Sequence, residues 1–142
     1  MRVITVAVAF LLAAACGSET PAPEAKPRFR ALVFTKTTGF RHDSIPDGVR
    51  AIRRLGRERG FGVDTTDDPG RFTRRSLARY DVVVFVSTTG TPIARARHRR
   101  AFERYIRAGG GYVGIHAASD TRGRWPWYER LVGARFKRHD PG

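Results

Sequence analysis

The fold of this chain turns on "GGGYVGIHAASDT", residues 109–121. Gly109, Gly110, Gly111 and Gly114 satisfy G-x-G-x-x-G, the dinucleotide pattern. Gly114-Ile115-His116-Ala117-Ala118 has the spacing of a nucleophile elbow, with histidine where the nucleophile stands. The flanking segments separate the two. A dinucleotide loop follows a strand and opens a helix, whose N-terminus holds the pyrophosphate. Here "IARARHRRAFERYIRA", residues 93–108, has helical periodicity, and "GYVGIHAA", residues 111–118, has the apolar centre of a buried strand. The glycines therefore cap a helix and open a strand, and no nucleotide is predicted. The elbow pattern fits better, because small residues at 114 and 118 are what a sharp strand-to-helix turn requires. An imidazole at its apex is no acyl carrier, but it can serve as acid, base, hydrogen-bond donor or metal ligand.

Outward from this stretch, strand and helix signals alternate. "RALVFTK" reads as a first strand. In "DSIPDGVRAIRRLGRERGF", Ser44 stands as N-cap with Asp47 as its capping-box partner and Pro46 in the first turn. Val49, Ile52 and Leu55 recur at helical spacing, and Gly60 stops the helix. "GVDTTDD" is a second strand, "TRRSLARY" a short helix, "YDVVVFVSTTG" a strongly apolar third strand, and "WPWYERLVGARF" a short aromatic helix and turn. Alternation of this kind predicts an α/β fold: a flavodoxin-like parallel sheet in the order 2-1-3-4, with helices on both faces.

Ligands of open α/β sheets bind beyond the carboxyl ends of the strands. Three loops meet there, "TKTTGFRHDS", "STTGTP" and "HAASDT", and all are rich in hydroxyls, glycine and histidine. His116 and His42 are the catalytic candidates and also the candidate ligands for a divalent metal. Lys36, Thr37, Asp43, Thr88, Thr89, Ser119 and Asp120 are the ligand-binding candidates. So many hydrogen-bonding groups with few apolar anchors suit a polyhydroxylated ligand such as a sugar. Each residue also has a structural alternative. His116 can be a core histidine, His42 can orient its loop, and Asp43 and Asp120 can cap the segments that follow them. Trp125 and Trp127 suit either a sugar-stacking platform or the core. His98, within a helix, is read as structural, and His139 is too near the chain end to assign.

The chain has 142 residues, enough for one globular domain, and a formal net charge of +14. Arginine supplies nearly all of that charge and is spread over every predicted helix; Arg97, Arg100, Arg104 and Arg107 lie opposite Phe102, Tyr105 and Ile106, as a solvated face should. No nucleic-acid partner is predicted. The N-terminus, "MRVITVAVAFLLAAAC", reads as a signal peptide over residues 1–15, followed by Cys16 and a Pro, Ala and Glu-rich tether over residues 16–28. Cys16 occupies the position at which bacterial lipoproteins are cut and acylated, although Ala13 stands where a larger aliphatic is commoner. Simple cleavage at an A-x-A site is the alternative. The expectation is an exported protein of the cell envelope, anchored to the membrane by lipid on Cys16, or periplasmic or extracellular if Cys16 is not lipidated. As the only cysteine, Cys16 leaves the domain no cysteine nucleophile and no disulfide.

The blocks "VFTKTTGFRHDSIPDG", "VVFVSTTG", "AFERYIRAGGGYVGIHAASDT" and "WPWYERLVGARF", with the final His139, resemble successive blocks of the trehalose-utilisation, or ThuA-like, family. The similarity runs from about Arg30 to the end. It implies a fold similar to class I glutamine amidotransferases, with His116 at the position of their elbow cysteine and therefore no glutaminase activity. It further implies a role in carbohydrate catabolism, alongside a sugar oxidoreductase that makes 3-keto sugars. The family domain continues past the last block, so residues 29–142 are expected to be its N-terminal part. The expected function is action on a sugar or keto-sugar, with a non-catalytic sugar-binding or envelope interaction module as the alternative.

Overall fold

Among the described residues, four parallel strands form one sheet in the order β2-β1-β3-β4: β1 is Arg30–Phe34, β2 Gly62–Thr66, β3 Val82–Val86 and β4 Gly111–Ile115. The structure, a computed structural model, describes residues 26–121 and 123–138. The leader, Cys16, most of the tether and His139 lie outside the described residues. Among the described residues four helices connect and flank the strands: α1 (Ile45–Arg59), α2 (Arg74–Leu77), α3 (Ala96–Arg107) and α4 (Pro126–Val132). The predicted flavodoxin-like order is the observed one.

Strand side chains alternate between the two faces, and each face finds its own cover. Leu32, Phe34, Val83 and Phe85 point to one side and join Phe72, Leu77, Phe102, Trp125 and Tyr128 in an aromatic core beneath α2, α3 and α4. Phe85 is its hub, with Phe34, Phe72, Phe102, Tyr112 and Tyr128 ringed about it at centroid distances of 5.2 to 5.9 Å. Val33, Val84 and Val86 point to the other side, against Val49 and Ile52 of α1.

The ends of the helices depart from expectation in two places. Ser44 stands at the N-cap of α1 with helical rather than extended backbone angles and makes no side-chain cap bond. In that geometry its hydroxyl does not reach the orphan amides of the first turn. Asp47 instead pairs with Arg50 one turn later. At the other end Gly60, at φ 71°, closes α1 in the left-handed conformation as expected. The third helix starts at Ala96, three residues later than the periodicity suggests, because Arg95 at its N-cap has extended backbone angles.

The fourth strand is not buried, contrary to its sequence pattern. It pairs with β3 alone among the described residues, and Val113 and Ile115 are 44% and 36% exposed. Register sets Val113 beside Val84 and Ile115 beside Val86, so both lie on the α1 side, beyond the reach of that helix. Tyr112, on the opposite side, packs into the aromatic core.

Candidate functional site

The carboxyl ends of β1, β3 and β4 open onto three loops, and the loops are laced together by backbone and hydroxyl hydrogen bonds. The Thr38 N–H donates to the Thr89 carbonyl (3.0 Å), and the Thr89 hydroxyl donates to the Phe40 carbonyl (2.6 Å). The Thr91 N–H donates to the Thr38 hydroxyl oxygen (2.6 Å), and the Gly90 N–H to the Asp120 carbonyl (3.2 Å). Gly90 is the crossing point. At φ 70°, with the Gly39 nitrogen 2.8 Å from where its Cβ would be, no other residue fits there without displacing the first loop.

This lacing explains what becomes of two predicted ligand-binding residues. Thr88 and Thr89 are fully buried. Thr88 shares a 2.7 Å hydroxyl hydrogen bond with Thr121, while Thr89 holds the Phe40 carbonyl. In this structure both serve as cross-links beneath the rim. The other candidates are accessible to differing degrees: Lys36, Thr37, Ser119 and Asp120 are half-buried, and Asp43 is exposed.

His116 and His42 are brought together. Their rings meet edge to face, with centroids 4.5 Å apart and an interplanar angle of 70°. His116 is exposed and His42 half-buried, so His116 is not a core histidine here. The first residue after β4, it begins a tight 3-10 turn, His116–Asp120. Its φ of 53° is left-handed, an uncommon state for a residue with a Cβ. Directly beside it, the residue that leaves β3, buried Ser87, has φ 48°, and its N–H donates to the Ile115 carbonyl (3.1 Å).

The turn is held from below. A Cβ on Gly114 would lie 3.2 Å from the Ala118 Cβ and 2.7 Å from the Tyr112 hydroxyl, so the small residues of the elbow pattern are required by close approach. The Tyr128 hydroxyl donates to the Ala118 carbonyl (2.9 Å), so its single proton is committed and the Tyr112 hydroxyl donates to it (2.6 Å). Burial pushes the Tyr128 phenol up to about 12, and raises Tyr112 further. Both remain protonated hydrogen-bonding groups near neutral pH.

Two residues of the site escaped the sequence reading. Phe40 is 71% exposed, and its ring lies edge to face with that of His42 at 4.8 Å, extending the histidine pair into a row of three rings. The "TGFRH" spacing holds both residues, but nothing in it shows that the phenylalanine faces out. Ser87 likewise gives no sign of its left-handed backbone. In contrast, Trp125 and Trp127 belong to the core side. Trp125 is buried and donates to Glu103 (2.7 Å), and the two indoles stack on each other at 6.0 Å.

For a metal, the pair offers two imidazoles. Among the described residues no group of three or more His, Cys, Asp or Glu is placed to hold an ion, so the pair alone falls short of the three protein ligands of a catalytic zinc site. No helix among the described residues is long and apolar enough to cross a membrane.

A family model described as trehalose utilisation matches residues 30–142. The crystal structure of a ThuA-like protein from Bacteroides uniformis is similar, with 31% sequence identity and a TM-score of 0.62, over 80% of this chain. The chain spans about half, 47%, of the length of that protein. No curated protein matches. With the parallel sheet, the elbow at His116 and the loop blocks all in place, the chain belongs to the ThuA, or trehalose-utilisation, family.

Proposed function

We propose that the rim at the carboxyl end of the sheet is an acid/base site for a sugar or keto-sugar, with His116 as the group that moves the proton. The observation that carries this reading is the edge-to-face contact of His42 and His116 at 4.5 Å, on an accessible rim beside exposed Phe40. Imidazole exchanges protons near neutral pH and needs a fixed direction to do so efficiently. The left-handed turn aims His116, and His42 limits its rotation from one side. Phe40 offers an aromatic face on which the C–H face of a pyranose can stack, while Lys36, Thr37, Ser119 and Asp120 surround the hydroxyls. A keto-sugar would come from an oxidoreductase acting first. Backbone strain in a non-glycine residue at such a rim supports a functional role, since strain costs stability and persists where the surroundings enforce it.

The test is titration with trehalose and with a 3-keto-glucoside, followed by NMR of both protein and sugar, on the wild type and on His116→Gln, His42→Gln and Phe40→Ala. Turnover lost in His116→Gln with sugar binding retained supports acid/base catalysis. Binding without turnover in the wild type would favour a sugar-binding module, and an absence of binding would overturn the carbohydrate reading.

The site of action belongs to the same proposal: the cell envelope, with the domain tethered through lipid on Cys16. The support is the leader, the small residues before Cys16 and the polar tether after it. Incorporation of labelled palmitate by the wild type but not by Cys16→Ser is the expected result.

A further inference from the structure

At the amino end of the sheet, opposite the histidine rim, α2 and the second half of α3 enclose an open cleft of about 770 Å³. That volume lies within the range of small-molecule sites. Its floor is apolar, formed by buried Leu77 and by the Tyr105 ring, which lies directly over Gly110 where a Cβ would stand. Three cations line it: Arg74 from α2, and Arg104 and Arg107 from α3. Among the described residues none of the three is in an ion pair or a side-chain hydrogen bond. The one acid in the wall, Asp81, already accepts from the Arg30 backbone N–H at 2.7 Å. Arg104 and Arg107 also complement the negative end of α3. Arg74 lies in the single turn of α2, first and last at once, so the helix dipole does not account for its place in the wall.

We propose that this cleft binds a small amphipathic oxyanion, with an aromatic or alicyclic body lying on Leu77 and Tyr105 and a phosphate or carboxylate held by Arg74, Arg104 and Arg107. The planar guanidinium fork matches either oxyanion bidentately. The apolar floor is what separates such a ligand from inorganic phosphate. Burial pushes the Tyr105 phenol up to about 12, so the floor stays uncharged near neutral pH. This site shares no residue with the histidine rim.

Phenyl phosphate is the probe, titrated by NMR and calorimetry into the full chain at fixed ionic strength, with inorganic phosphate in parallel. The expected result is saturable binding of phenyl phosphate, with shifts at Leu77, Tyr105 and Gly110, and at least tenfold weaker binding of phosphate. Arg104→Gln and Arg107→Gln should each weaken phenyl phosphate by about tenfold, whereas Arg100→Gln, an exposed arginine of α3 outside the cleft, should not. Both tested arginines are exposed, so circular dichroism should show these variants folded. Equal binding of the two probes, an equal loss in Arg100→Gln, or no saturation at millimolar probe would overturn the proposal. Retention of the effect in His116→Gln keeps this test separate from that of the rim.

Discussion

Ser87 and His116 leave neighbouring strands side by side, and both do so with left-handed backbones, at φ 48° and 53°, although neither is glycine. Two such exits next to each other put strain on the rim where the imidazole is presented. His116→Gly and His116→Ala both delete the ring, but only glycine relaxes the backbone. The glycine variant should be more stable than the alanine variant by about 1 kcal/mol. Parallel urea melts check this, and equal midpoints would mean that the turn is not strained.

Beneath that turn, Gly114→Ala should destabilise by roughly 1–3 kcal/mol, because the new methyl meets Ala118 and the Tyr112 hydroxyl, which is pinned by Tyr128. Removing the obstacle in Gly114→Ala/Tyr112→Phe should recover part of that loss. A double-mutant cycle with no coupling would show that the elbow has room to spare.

Thr89→Val keeps the shape of a buried side chain while deleting the bond to the Phe40 carbonyl. The expected cost is about 1–2 kcal/mol, and the first loop, with Phe40 and His42, should loosen. NMR relaxation of residues 36 to 43 is the measurement, and an unchanged loop would assign the tether to the other cross-links.

His98 introduces a pH dependence. It is buried in the first turn of α3, where desolvation, then the charges of Arg97 and Arg95, hold its pKa below the ordinary 6.5. Its Nε2 accepts from Arg97 (3.2 Å), and its buried Nδ1 has no partner among the described residues. A depressed folded pKa means that the unfolded chain takes up the proton first. The stability contributed by neutral His98 is therefore present above about pH 6.5 and declines as pH falls below it. Thermal melts from pH 7.5 to 5 should fall more steeply for the wild type than for His98→Gln, and superimposable profiles would contradict the assignment.

The fold was legible because the alternation of apolar runs and helical periods is strong, and because parallel crossovers leave few orders to choose from. The convergence of three loops on one rim, with His42 and His116 both on it, followed from that order; their ring contact did not, because β3 lies between β1 and β4. What stayed hidden depends on contacts rather than pattern. Thr88 and Thr89 look like open-loop hydroxyls until Thr121 and Phe40 cover them. Phe40 resembles a core residue although it is exposed, and Trp125 resembles a platform although Glu103 and Phe102 enclose it. Apolar Val113 and Ile115 suggest burial, but burial depends on what covers a face, and α1 does not extend that far.

That β4 has one strand neighbour among the described residues bears on how the site fails. One histidine of the pair hangs from β1, which is hydrogen-bonded on both sides, and the other from β4, which among the described residues is bonded only to β3. Local opening begins where fewest bonds must break. In residues 26–138 taken alone, warming should free β4 from β3 before β1 and β3 part, and carry His116 away from His42 while the centre of the sheet is still intact. Loss of the ring contact would then precede global melting, and the two histidines would serve as an early reporter of fraying.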